Sequence, residues 1–239
     1  MEEAQLSGVV LGVLGASGGV GSTALATACA VRSAAAGRDV VLVDAHPWGG
    51  GIEMMAGTDA EAGLRWGDLE GVRGDVDPRR LVAELPVGET GFRCLSWGAH
   101  APTGAPPGPD PVLAAVRAAA PVTVIDLPRP TAGRWHQEWW SACDQIVLLV
   151  EASVVGIGAA AVVAESVRGL SGVVLREPAA IAADELVAAL GAPLLGRLPA
   201  DRTVVRCLER GRAVASESGA LAGAAEEILV ALLPGLRHE

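Results

Sequence analysis

Short, unbroken apolar runs recur along this 239-residue chain, and Ala-rich stretches separate them. Val9–Leu14, Asp39–Val43, Val122–Ile125 and Ile146–Val150 carry consecutive branched aliphatic residues, with Val173–Leu175 and Leu194–Leu198 as weaker runs. Runs this short, without polar alternation, are those of strands buried on both faces. The stretches between them read as helices over about Ser22–Ala36, Pro111–Ala119, Thr131–Ala142, Val154–Leu170, Ala182–Leu190, Thr203–Arg210 and Leu221–Leu233. Strand and helix in alternation predict an α/β fold, a doubly wound and mostly parallel sheet with helices on both faces. From Ala101 to Pro111, five prolines and two glycines predict an extended surface loop. No repeat or clear boundary is visible, so a single domain over 1–239, with its core at about 8–235, is the economical reading.

The first run leads into Gly15-Ala16-Ser17-Gly18-Gly19-Val20-Gly21-Ser22-Thr23, and a helix follows. Strand, glycine-rich turn and helix N-terminus together form a phosphate cradle. Glycines let the backbone N–H groups approach the phosphates, and the helix dipole adds about half a positive charge there. The strict pattern G-x-x-x-x-G-K-[ST] is only partly met. Ala16 stands at its first glycine and Ser22 at its lysine, while Thr23 keeps the hydroxyl that ligates Mg²⁺. The plainer reading is a tight turn with no ligand. Gly19-Val20-Gly21-Ser22-Thr23-Ala24 also fits the looser G-x-G-x-x-A spacing of dinucleotide folds, with Asp44 as the acidic partner. Against this, the glycines start well past the end of the strand.

Composition narrows the chemistry. All 18 basic residues are arginine, so any mechanism that needs a lysine from this chain is excluded. A net charge of −10 argues against broad binding to nucleic acid or to anionic lipid. Cys29, Cys94, Cys143 and Cys207 form no C-x-x-C pair and read as reduced thiols of a cytoplasmic protein. The acidic start MEEAQLSG is not that of a signal peptide, and no apolar run approaches the ~20 residues that span a bilayer. His46 beside Asp44 finds no further metal ligand nearby in sequence, so no metal is expected apart from Mg²⁺ with nucleotide.

Ser17-Gly18-Gly19-Val20-Gly21-Ser22-Thr23 resembles the deviant Walker A motif K-G-G-V-G-K-T of the ParA/MinD ATPases. Further segments resemble that family in the same order. Val41-Leu42-Val43-Asp44-Ala45-His46-Pro47-Trp48-Gly49-Gly50 matches its switch I. Val124-Ile125-Asp126-Leu127-Pro128 matches Walker B and switch II, and Cys143–Val150 matches the strand after it. Leu198-Pro199-Ala200-Asp201 and Leu208-Glu209-Arg210-Gly211 match its C-terminal region. Gly49–Glu53, Gly63–Leu69 and Leu95-Ser96-Trp97 further resemble an actinobacterial CpaE-like branch. That branch includes proteins described as septum-site-determining and resembles the TadZ/CpaE localisation factors of Flp-pilus (Tad) systems. Many CpaE-type proteins carry an N-terminal receiver-like domain; this chain starts at the first strand, so that domain is expected to be missing.

The resemblance implies a P-loop NTPase fold and nucleotide contacts at Gly18, Gly19, Val20, Gly21, Ser22 and Thr23. It places Thr23, Asp44, His46 and Asp126 at the Mg²⁺ and switch positions. The departures matter as much. Ser17 replaces the lysine that reaches a partner's nucleotide, Ser22 replaces the P-loop lysine, and His46 replaces the aspartate that orients water. Arg176 falls where an asparagine often reads adenine. Each charge-assisted contact is worth roughly 1.5–3 kcal/mol, so two lost cations weaken triphosphate binding on the order of 10²–10⁴-fold. Hydrolysis, which depends on charge stabilisation and a positioned water, is expected to be negligible. Arg129, and Arg134 beyond it, are candidate replacements at the phosphates.

Trp135, Trp139 and Trp140 share a predicted helix; they read either as core packing or as a partner surface that Trp48 could join. The last helix carries Glu226 and Glu227 and no basic residue, so direct membrane insertion is not expected. The sequence thus points to a dimerising CpaE/TadZ-like localisation or regulatory protein for Flp-pilus secretion machinery or septum-site selection. Its partners would be secretion, pilus or division proteins, and its binding of ATP or ADP with Mg²⁺ weak or lost. The alternative is a weak ATPase switch that cycles between monomer and dimer.

Overall fold

The computed structural model describes residues 8–49, 51–72, 74–98, 109–130, 135–167, 169–178 and 182–233. Seven strands among them form one sheet: β1 (Val9–Gly15), β2 (Val40–Asp44), β3 (Arg93–Leu95), β4 (Val122–Leu127), β5 (Gln145–Glu151), β6 (Gly172–Arg176) and β7 (Leu194–Leu198). Their order is β3-β2-β4-β1-β5-β6-β7, and every ladder is parallel. The apolar runs behave as their lack of alternation requires. On β1, Leu11 and Val13 enter one core, while Val10 and Leu14 enter the core on the opposite face.

The helices are α1 (Ser22–Ala35), α2 (Ile52–Ala56), α3 (Pro78–Ala83), α4 (Val112–Ala119), α5 (His136–Ser141), α6 (Val154–Ser166), α7 (Ala183–Leu190), α8 (Arg202–Glu209) and α9 (Ala220–Leu232). α1 and α9 bury small and branched residues, among them Ala26, Ala30, Ala224, Ala225 and Ile228, against one face. Small side chains let helix and sheet approach closely. The other face carries Val116 of α4, Trp139 of α5, Ala160 of α6 and Leu186 of α7. Asp201 caps α8 through the Thr203 amide at 2.8 Å and also takes the Leu221 amide of α9 at 2.8 Å.

Several expectations need correction. The short edge strand β3, helices α2 and α3 and the 3₁₀ turn Trp66–Leu69 were not foreseen. The helix expected over Val154–Leu170 ends at Ser166, because Val167 is already extended at φ −90°, ψ 122°. Of the helix expected over Thr131–Ala142, residues 131–134 lie outside the described residues and the rest is the shorter α5. Residues 101–108 of the expected proline loop also lie outside them. The four cysteines are unpaired, and burial pushes the thiols of Cys29, Cys94 and Cys143 up to about 12. No helix among the described residues is long and apolar enough to cross a membrane.

In a parallel sheet every strand delivers its C-terminal loop to the same edge. From β1 the chain runs to β2 on one side, and from β4 it runs past β1 to β5 on the other. The crevice at this reversal is where open α/β sheets bind ligands, and the glycine-rich turn after β1 occupies it.

Candidate functional site

The turn is held from below: the Ala16 amide donates to the Leu149 carbonyl of β5 at 2.9 Å. Gly18 and Gly19 are exposed, while Val20 tucks into the core. Gly19 at φ 74° and Gly21 at φ 106° occupy the left-handed region, which strains any side-chain-bearing residue. Gly21 is the N-cap of α1 and supplies no side-chain cap, and the first turn holds no acidic residue. The orphan N–H groups and positive pole of a 14-residue helix are therefore left to whatever anion enters the turn.

Asp44 ends β2 and Asp126 lies one residue from the end of β4, and the register makes them direct neighbours. Both are buried. Burial foremost, then the charge of Asp126, raises the pKa of Asp44 well above the carboxylate range; the His46 amide, which donates to Asp44 Oδ1 at 2.8 Å, opposes this. Burial also raises the pKa of Asp126, against the influence of His46 and a hydrogen bond from Thr23 of α1. Asp126 Oδ1 is buried and has no hydrogen-bond partner. Two carboxylates, one of them with an orphaned buried oxygen, and a threonine hydroxyl make a hard-oxygen donor set that fits Mg²⁺. No three His, Cys, Asp or Glu side chains among the described residues gather as a metal-binding group, so the remaining ligands would be water or phosphate oxygens.

The switch-like segments are pinned by the chain's own side chains. His46 Nε2 donates to the Leu127 carbonyl at 2.7 Å and lies 4.0 Å from Asp126 Oδ1. The Trp66 indole donates to the Asp44 carbonyl at 2.8 Å, and the Trp140 indole to the Pro128 carbonyl at 3.0 Å. Trp66 stacks on Trp97 with centroids 5.6 Å apart and meets Trp139 edge-on at 5.7 Å. Behind this layer Glu53 pairs with Arg65 and accepts from the Ser96 hydroxyl.

The structure brings Gly18–Thr23, Asp44, His46 and Asp126 to one edge of the sheet. It corrects the tryptophan surface: Trp139 and Trp140 are 1% and 5% exposed and belong to the core. Their indoles fill the space under the switch segments, so only the half-buried Trp135 is left of that surface. Trp48, 61% exposed, meets Trp135 edge-on at 6.0 Å. Arg129 is exposed, and its Nη2 lies 3.5 Å from where a Cβ on Gly18 would stand; Arg134 lies outside the described residues. Trp66 and Arg176 were noticed in sequence only as matches to a family pattern. Their contacts here depend on strand register, which local spacing does not encode.

No family model matches the chain. Two uncharacterised proteins from strains of Mycobacterium tuberculosis are 33% identical to it over 230 residues. The match covers 94% of this chain but 64% of theirs, so the chain spans less than two thirds of those relatives. Among solved structures, MinD in the MinC:MinD cell division complex of Aquifex aeolicus superposes with a TM-score of 0.74 at 19% identity, over 97% of this chain and 98% of that one. A ParA family ATPase of Chlorobium tepidum gives 0.72 at 15%, over 95% and 98%. The septum site-determining protein MinD of Pyrococcus horikoshii, complexed with Mg-ADP, gives 0.70 at 16%, over 97% and 99%. The fold is that of the ParA/MinD P-loop ATPases.

Proposed function

We propose that this chain is a CpaE/TadZ-like localisation or regulatory protein that dimerises, binds a partner, and holds a nucleotide weakly without turning it over. Its setting on this reading is the placement of Flp-pilus (Tad) secretion machinery or the selection of the septum site. It would work in the cytoplasm and reach the membrane or pole through partners from those systems. The protein that gave the highest of the quoted TM-scores is in complex with MinC, which supports a partner-binding role.

The observation that carries the reading is His46. At the position where the family orients water with a carboxylate, an imidazole has its Nε2–H committed to the Leu127 carbonyl at 2.7 Å. In that state the ring's Nε2 cannot accept a proton from an attacking water. Ser17 and Ser22 supply hydroxyls but no positive charge to a developing transition state. Binding groups are kept: the uncapped α1 N-terminus, the open glycine turn, and the Thr23–Asp44–Asp126 set that would hold Mg²⁺. A bound Mg²⁺ would screen the phosphate oxygens from these carboxylates.

Light scattering with and without MgATP tests the reading, with phosphate release followed in parallel. A shift from monomer to dimer with MgATP, and no phosphate above the protein-free blank, supports it. A monomer under both conditions contradicts dimerisation, and steady phosphate release contradicts the loss of turnover.

A further inference from the structure

Two arginines lean on the glycine turn from opposite flanks. Arg129 follows β4, and its Nη2 lies 3.5 Å from a Cβ built on Gly18. Arg176 ends β6, and its Nη1 lies 3.9 Å from a Cβ built on Gly21. In the order β4-β1-β5-β6 these strands lie on either side of the strand that carries the turn. Arg176 also lines a cleft of about 370 Å³ with Gly18, Gly19 and Val20, and Glu151 and Glu177 line it too.

Among the described residues neither guanidinium forms an ion pair or a hydrogen bond, although acidic groups are at hand. In the β5–β6 register Arg176 stands beside Glu151, yet no salt bridge joins them. The adjacent Glu177 pairs with Arg197 instead, at 3.3 Å. In a chain of net charge −10, acids satisfy many of the other arginines: Arg32 with Glu226, Arg65 with Glu53, Arg117 with Asp144, and Arg206, Arg210 and Arg212 with Glu217. An independent observation also points to a ligand. Buried Asp126 Oδ1 has no hydrogen-bond partner, although Thr23 in the first turn of α1 hydrogen-bonds the same carboxyl group. Two guanidinium groups and a buried carboxyl oxygen without a hydrogen bond thus meet at one helix N-terminus. A polyphosphate with its divalent cation answers both.

We propose that Arg129 and Arg176 form a two-sided clamp on the phosphates of a nucleoside di- or triphosphate, supplying from the flanks the charge that Ser17 and Ser22 do not. The clamp deepens the nucleotide-binding part of the proposed function and rests on it. Guanidinium forks suit bidentate phosphate contacts, and their charge is fixed at any working pH.

The test is calorimetric titration of MgADP and MgATP into the intact protein and into Arg129→Ala, Arg176→Ala and the double variant. Arg202→Ala is the control, because Arg202 is exposed and, among the described residues, unpaired on α8. Matching thermal unfolding curves establish that each variant folds, and Arg176→Gln serves if Arg176→Ala does not. Loss of one charge-assisted contact is expected to weaken binding by about 10-fold or more for each single variant. The double variant is expected to fall further, and Arg202→Ala to stay at the parent value. Parent binding with both single variants unchanged overturns the clamp and leaves the nucleotide reading standing. No binding by the parent at several millimolar overturns both.

Discussion

The two sides of the glycine turn are built on different terms. On the carboxylate side, Asp44 and Asp126 sit at the ends of central strands, and the Trp66, Trp140 and His46 side chains hold the backbone carbonyls beside them. On the cation side, Gly18 and Gly19 are exposed, and Arg129 and Arg176 approach them without a partner among the described residues. One side is a finished piece of core, and the other is ready only for a ligand. This contrast separates two properties that are usually read together. The strand-end carboxylates are built into the core at a cost to the fold. Ser17 and Ser22 in the turn carry no charge, so a lysine at either position would change the chemistry of the turn without touching the core.

The largest effect should come from undercutting the finished side. Trp139→Ala removes a fully buried indole from beneath Trp66 and should cost about 3–5 kcal/mol, read by denaturant or thermal unfolding. A cost below about 1 kcal/mol would mean that the aromatic layer does not support the carboxylate side.

Next comes an attempt to give the open side the residues of the K-G-G-V-G-K-T pattern and its switch aspartate. Ser22→Lys with His46→Asp restores a cation at the turn and a carboxylate at the switch. Nucleotide affinity is expected to rise by about 10-fold or more, and phosphate release to become measurable. An inert double variant would show that the backbone cradle itself has changed.

A smaller effect tests the buried carboxylates. Burial and the neighbouring charge raise the folded pKa of Asp44, and burial raises that of Asp126. A raised carboxyl favours the neutral form in the fold. Its stabilisation is complete below the ordinary carboxylate range and is lost as pH rises from there through the folded pKa. Without ligand, Asp126→Asn should therefore be more stable than the parent at neutral pH by about 1–3 kcal/mol, or roughly 2–10 °C. The gain should vanish near pH 3, where both states are protonated. A variant less stable than the parent at pH 7 would refute this burial cost. The smallest effect is expected at Trp48, whose indole is 61% exposed. Trp48→Ala should change stability by less than about 0.5 kcal/mol, while weakening self-association if that edge meets a second copy.

The same division explains what was legible in the sequence. Strands β1, β2, β4 and β5 announce themselves because burial on both faces requires unbroken apolar runs. β3 has only Arg93, Cys94 and Leu95, too short a signal to stand out. The turn and its strand-end aspartates were readable because their chemistry is local to a few residues. Trp139 and Trp140 were ambiguous because a helical spacing fits a buried stripe and an exposed one equally. The His46 tether to Leu127 and the approach of Arg176 to Gly21 join residues 81 and 155 positions apart. They arise from strand order and register, and no local pattern encodes them.

The most direct test is to titrate MgATP into the purified protein by calorimetry and then assay the same sample for released phosphate over hours. Saturable binding at micromolar to low millimolar nucleotide, with phosphate no higher than in the protein-free blank, is the expected result. Phosphate accumulating in proportion to protein would contradict the loss of turnover. No heat of binding at several millimolar would contradict the retained phosphate cradle.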